Sequence, residues 1–236
     1  MKKLVKLLKI LLRAKYWRAL MFGVGAAVEH EKLLQNLDLS TIIDVGSNRG
    51  QFSLVVRYLF PNAKIICFEP LAGPAGIFQS VFAKEDNIYL HNVAISLESK
   101  MTDINVSADD DSSSLLPITD LQSRLFPGTG YKKTEQVKVV RASDLLSAEQ
   151  IQAPALLKVD VQGYELRVLQ SFGELIVYFE YIYVECSFVE LYAGQALAHE
   201  VLAFLGKKKW CLNGVYNIEY DKHGKAIQGD FLLVRK

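Results

Sequence analysis

The sequence predicts a doubly wound α/β domain on a mostly parallel sheet, Rossmann-like, with a helical N-terminal extension. Three observations carry that prediction. A β-branched apolar run, Thr41 to Val45, breaks into Gly46 and Gly50 and then into a helix-like stretch, Gln51 to Leu59. A second apolar run, Ile65 to Phe68, ends in Glu69 and Pro70 about 20 residues after the glycine turn. Strand and helix patterns then alternate as far as residue 93, the rhythm of βαβ units with right-handed crossovers.

The first twenty residues differ from the rest. Lys2, Lys3, Lys6, Lys9, Arg13, Lys15 and Arg18 are balanced by no acid. On a helix, Lys2, Lys6, Lys9 and Arg13 form one stripe, with Leu4, Leu7, Leu8 and Leu11 opposite. Lys6 and Lys9 interrupt any signal-peptide or membrane-spanning core. Two readings stay open: a helix lying on an anionic membrane surface, or one packed on the domain or a partner chain. Residues 1–30 are therefore set apart from a single domain over residues 31–236.

Glu31 to Leu39 reads as a short helix leading into strand 41–45. Helix 51–60, strand 64–69, helix 74–84 and strand 88–93 follow, with Pro74 suited to a first helical turn. Residues 94–107 and 136–141 alternate apolar and polar, which predicts extra strands of antiparallel type. Between them, residues 108–131 hold four aspartates, four serines, two prolines and two glycines, a segment either closing over a substrate or simply mobile. Strand 155–160, a helix to about Phe172, strand 181–185 and helix 196–206 come next. Two closing strands, about 209–218 and 230–234, flank the turn at Asp221 to Gly224.

Composition removes several function classes. At 236 residues, with 50% hydrophobic side chains and a formal charge of +1, the chain is neither disordered nor a nucleic-acid coat. Cys67, Cys186 and Cys211 are isolated, which suits buried thiols in a cytoplasmic setting better than a disulfide framework or a zinc site. His30, His91, His199 and His223 lack ligand spacing and read as surface or packing residues, so no metal is assigned.

The first βα turn identifies a ligand class. A dinucleotide fold wants G-x-G-x-x-G for a pyrophosphate, and that pattern is missing here. Asp44 before the first glycine suits a cationic amino group, and Glu69 stands where a ribose-binding carboxylate belongs. Asp44, Gly46, Gly50 and Glu69 together read as an S-adenosylmethionine site. A nicotinamide oxidoreductase fails on the missing motif. A non-catalytic protein of the same fold, binding cofactor or serving as a scaffold, is the alternative from another class.

Asp44-Val45-Gly46-Ser47-Asn48-Arg49-Gly50, Phe68-Glu69-Pro70, Asn92-Val93-Ala94 and Leu157-Lys158-Val159-Asp160-Val161-Gln162-Gly163-Tyr164-Glu165 together resemble the FkbM family of S-adenosylmethionine-dependent methyltransferases, over roughly residues 40 to 235. Gln162 stands where that family commonly has an acid. The resemblance implies O-methylation of a hydroxyl on a sugar or polyketide-type acceptor. It places Asp44, Gly46, Asn48, Gly50, Glu69, Pro70, Asn92 and Ala94 around the cofactor, with Asn92 and Ala94 near the adenine. Asp160 is the first choice for the base that takes the acceptor's proton, and Glu185 the second. Lys158 shares a strand face with Asp160, and Glu165 follows in the next helix. A metal held by Asp160 and Glu185 is the minority reading.

Overall fold

The computed structural model describes residues 9–235. Lys2, Lys3, Lys6, Leu4, Leu7 and Leu8, most of the predicted amphipathic stripe, lie outside the described residues. Helix α1 (Ala14–Met21) buries Tyr16 and Ala19 against the domain, and the short helix α2 (Glu31–Leu34) leads to the sheet.

Seven strands form the main sheet, in the order β3-β2-β1-β7-β8-β10-β9. They are β1 (Thr41–Val45), β2 (Lys64–Phe68), β3 (Ile88–His91), β7 (Ala155–Val159), β8 (Tyr181–Ser187), β9 (Trp210–Tyr220) and β10 (Ala226–Arg235). Pairing is parallel from β3 through β8, and β10 runs antiparallel between β8 and β9. Helices α3 (Gln51–Leu59), α4 (Ala72–Val81), α7 (Glu165–Ser171) and α8 (Ala198–Lys207) cover the two faces. The period-2 alternation of a strand divides the core. In β1, Ile43 and Val45 pack with Phe172 and Val201, while Ile42 packs with Phe52 and Phe78. Tyr16 and Ala19 belong to the second of these layers, so α1 completes the same core as β1 and α3.

The closing hairpin is longer than the sequence indicated, and its β10 arm is inserted into the sheet, with only β9 at the edge. The alternating segments form a separate three-stranded sheet of β4 (Ala94–Ile95), β6 (Tyr131–Val140) and β5 (Lys100–Ser107). Its β5–β6 pairing is antiparallel, as the alternation predicts, whereas β4–β6 is parallel. The connection between β5 and β6 carries a 3-10 turn, Asp110–Ser112, and helix α5 (Asp120–Leu125), which Thr119 caps by accepting from the Gln122 amide. A further short helix, α6 (Ala142–Leu145), leads towards β7.

Candidate active site

The carboxyl ends of β1, β2 and β7 open into a cavity of about 340 Å³, within the range of small-molecule sites. Gly46, Ser47 and Asn48 form one wall, and Asp110, Asp111 and Ser114 of the β5–β6 connection form the facing one. Arg49 pairs with Asp110, and Asn48 Nδ2 reaches the same carboxylate at 3.4 Å, so the connection is tied to the glycine turn.

Glu69 sets the chemistry of the cavity's polar end. Its Oε1 accepts from Leu71 N–H (2.8 Å) and its Oε2 from Asn48 N–H (2.9 Å). Each oxygen keeps a lone pair for a ligand hydroxyl. Burial pushes this carboxyl up to about 7, against the two backbone N–H bonds that favour its charged form. Leu71, Val93, Ala94, Ile104 and Leu115 line an apolar stretch beside it. Gln51 also lines the cavity, and its buried Oε1 has no partner among the described residues.

Gly46 has φ +81° and lies where β1 meets β7. A Cβ there would sit 1.8 Å from the Asp160 carbonyl oxygen. Only glycine allows that approach.

Lys158 rises from β7 into the same space. Its Nζ donates to the Gly46 carbonyl (3.0 Å) and pairs with Asp44 (3.2 Å) and Asp160 (3.5 Å). Burial works against its charge, but Asp44 and Asp160 prevail and hold the ammonium above its ordinary pKa. Lys158 is thus a fixed cation, which cannot accept a proton at neutral pH.

Gly46, Asn48, Glu69, Pro70, Ala94, Lys158 and Asp160 all line this cavity. Four other residues assigned to the site from the sequence do not line this cavity. Asp44 is fully buried beneath the cavity, bonded by Ser53 Oγ (2.8 Å) and Lys158. Gly50 takes φ +91° against the Phe78 and Phe82 rings, where a Cβ would come within 2.4 Å of Phe82; it is a packing glycine. Asn92 is exposed and pins the end of β2 from outside, donating to the carbonyls of Glu69 (2.8 Å) and Pro70 (3.0 Å). Glu185 lines a different cavity.

That second cavity, of about 520 Å³, opens beyond Asp160. Glu185, Asn217, Gln228 and Asp230 of β8, β9 and β10 line it, with Gln122 of α5 across from them. Asp111, Asp160, Gln162 and His30 belong to both cavities and mark their junction. Gln162 Nε2 donates to Asp160 (2.7 Å) and to Glu185 (3.1 Å), and its Oε1 accepts from Tyr192 (2.8 Å). The amide thus bridges the two carboxylates. Burial and neighbouring Asp160 push Glu185 well up, and both its oxygens accept from glutamine side chains. Glu165 is also structural: its Oε1 accepts from the N–H groups of Val161 (3.2 Å) and Gly163 (2.9 Å), holding the β7–α7 turn.

The family profile described as the methyltransferase FkbM domain matches residues 44–214, spanning both strand-end motifs and the β7–α7 turn. The chain belongs to the FkbM methyltransferase family. It is 28% identical to 2-O-methyltransferase NoeI of Sinorhizobium fredii over 170 residues, 70% of each chain. It is 27% identical to Methyltransferase 1 of Beauveria bassiana over 155 residues, 58% of this chain and 60% of that one. Among solved structures, a precorrin-6y C5,15-methyltransferase from Geobacter metallireducens aligns over 89% of this chain and 86% of its own, at 12% identity and a TM-score of 0.49.

As an FkbM methyltransferase, the protein takes its methyl group from S-adenosylmethionine. The first cavity fits that donor. Glu69 offers two acceptor oxygens to a ribose diol, the apolar stretch suits an adenine, and the orphaned Gln51 oxygen awaits a donor.

Sequence reasoning missed the residues that make the junction. His30 comes from the 3-10 turn before α2, outside every motif. Gln51 follows Gly50 without a pattern of its own. Asp230 and Gln228 reach the site only because β10 pairs with β8, setting Asp230 opposite Glu185.

Proposed function

We propose that the protein methylates a hydroxyl of a polyhydroxylated, non-anionic acceptor of the sugar or polyketide class. The observation that carries this is the pair of cavities meeting at Asp160 and Gln162, one fitted to the methyl donor and the other lined with hydrogen-bonding groups. Side-chain amides (Gln122, Gln162, Asn217, Gln228) alternate there with carboxylates, a surface that both donates to and accepts from hydroxyls. Gln122 is 3% exposed, and its Oε1 has no partner among the described residues. No lysine or arginine lines this cavity among the described residues, which disfavours phosphate or carboxylate acceptors. The name 2-O-methyltransferase, borne by a relative, supports oxygen as the methylated atom.

The donor supplies an electrophilic methyl group when bound. Most of the rate then comes from holding a hydroxyl in line with it. Asp160, at the junction and anchored by Lys158 and Gln162, is placed to orient that hydroxyl. Incubation with S-adenosylmethionine carrying a labelled methyl group and a panel of neutral glycans, uronic acids and sugar phosphates tests the reading. Label on a hydroxyl of a neutral glycan is expected. Labelling confined to anionic acceptors, or to nitrogen, would contradict it.

We also propose that α1 touches a membrane surface. Among the described residues no helix is long and apolar enough to cross a bilayer. Leu12 and Met21 are 83% and 79% exposed, and Trp17 is exposed between them. Lys9 and Arg13, by contrast, pair with Glu31, and Arg18 donates to the Ser80 carbonyl. The contact proposed therefore leads with apolar side chains rather than with the basic stripe.

A further inference from the structure

Methyl transfer to a hydroxyl releases a proton, and the junction holds a group suited to take it. On the reading that this site methylates a hydroxyl, we infer that His30 is its general base, acting through Nε2 and positioned by Tyr183 and Asp230.

His30 lines both cavities beside Asp160 and Gln162. Its ring is wedged edge-on against Phe52 (centroids 5.3 Å, 77°) and Tyr183 (5.6 Å, 85°). The hydrogen-bond chain behind it selects a tautomer. Tyr183 Oη donates its single hydrogen to Asp230 Oδ2 at 2.8 Å. The same oxygen lies 2.9 Å from His30 Nδ1 and so accepts from it. Asn217 Nδ2 donates to the same Asp230 oxygen (2.8 Å) and lies 3.2 Å from Nδ1, so the tautomer is set by Tyr183. Nε2 then carries the ring's lone pair. A base oriented by a second group, itself anchored by a third, is a recurring arrangement for proton abstraction.

Burial lowers the ring's pKa, so the imidazole is neutral and able to accept at neutral pH. Asp230, Glu29 and Asp160 face the ring and favour its charged form, while Lys158 opposes it. As the new O–C bond forms, the S–C bond breaks and its electron pair neutralises the sulfonium. The hydroxyl proton moves to Nε2. The resulting imidazolium is stabilised by Asp230 through Tyr183, and it returns the proton to water.

Two measurements on the full chain test this. Nitrogen-15 NMR of the histidine rings reads the tautomer without any acceptor. The expected signal for His30 is a protonated Nδ1 and a bare Nε2 at pH 8, with a midpoint below 6.5, and a shift towards the other tautomer in Tyr183→Phe. A ring protonated on Nε2 would overturn the proposal. The second measurement follows S-adenosylhomocysteine formation with methyl β-glucopyranoside at high concentration as the acceptor. The rate is expected to rise with pH and level off above the midpoint found by NMR. His30→Gln should lower it by about 10²–10⁴ and flatten the profile, leaving S-adenosylhomocysteine affinity within threefold. An unchanged rate and profile in His30→Gln would overturn the assignment. A wild-type enzyme that binds S-adenosylhomocysteine yet methylates no hydroxyl counts against the proposed function instead, and the ring tautomer still decides the role of His30.

Discussion

Glu69 meets its ligand already holding two backbone N–H groups, and burial nevertheless keeps its pKa near 7. The charged form is the better acceptor for a ribose diol, so donor affinity should follow its ionisation. Below the pKa of about 7 the carboxyl is protonated and binding must first remove that proton; above it the carboxylate is ready. Affinity for S-adenosylhomocysteine is therefore expected to rise with pH through about 7 and then plateau, as calorimetry at several pH values can show. Glu69→Ala should weaken binding by about 1.5–3 kcal/mol and remove the pH dependence. Asp160 is tested at the same scale. Asp160→Asn should preserve donor affinity while turnover falls by roughly ten- to a hundredfold, since the amide keeps the shape but loses an acceptor oxygen. A parallel loss of donor affinity and turnover would place Asp160 in the donor site alone.

At the scale of elements, the site depends on β1 and β7 ending against each other. Gly46→Ala would drive a methyl group into the Asp160 carbonyl, so about 3 kcal/mol or more of stability should be lost by thermal or denaturant unfolding. The β7–α7 turn has its own test in Glu165. Burial raises this carboxyl to about 7, so its contribution to stability is fully present below its unfolded pKa and is lost as pH rises through about 7. Glu165→Gln keeps an acceptor oxygen without that penalty, and its unfolding free energy should gain on wild type between about pH 4.5 and 7, approaching about 3 kcal/mol. These two turns were legible as sequence because glycines and acids punctuate apolar strands there. Roles within them were less so. Asp44 and Glu69 are both acids near strand ends, yet Asp44 lies in line with Lys158 across the β1–β7 pairing and turns under the cavity. Position along a strand does not reveal which face a side chain uses.

Across the whole molecule, the parallel half of the fold was readable because each βα unit is local in sequence. The acceptor side was not, since it joins the turn before α2, the β5–β6 connection and the closing hairpin. No spacing rule links residues so far apart, and His30 therefore read as an ordinary packing residue. Helix α1 belongs to this scale too. Its Tyr16 and Ala19 complete the layer around β1, so deleting residues 9–22 should lower the melting temperature, not merely release a tether. If its outer face, with Leu12 just before it, touches membrane, Leu12→Asp with Met21→Asp should abolish co-sedimentation with anionic liposomes while leaving the melting temperature within a few degrees. Loss of the fold in that double variant would mark the face as structural.

The arrangement as a whole rests on a donor lying along the first cavity with its methyl turned towards the second. A crystal structure with S-adenosylhomocysteine bound tests this most directly. The expected density has both ribose hydroxyls on the Glu69 carboxylate, the adenine between Leu71, Ala94 and Leu115, and the sulfur at the junction beside Asp160 and Gln162. A ribose bound away from Glu69, or a sulfur directed away from Asp160, would contradict it.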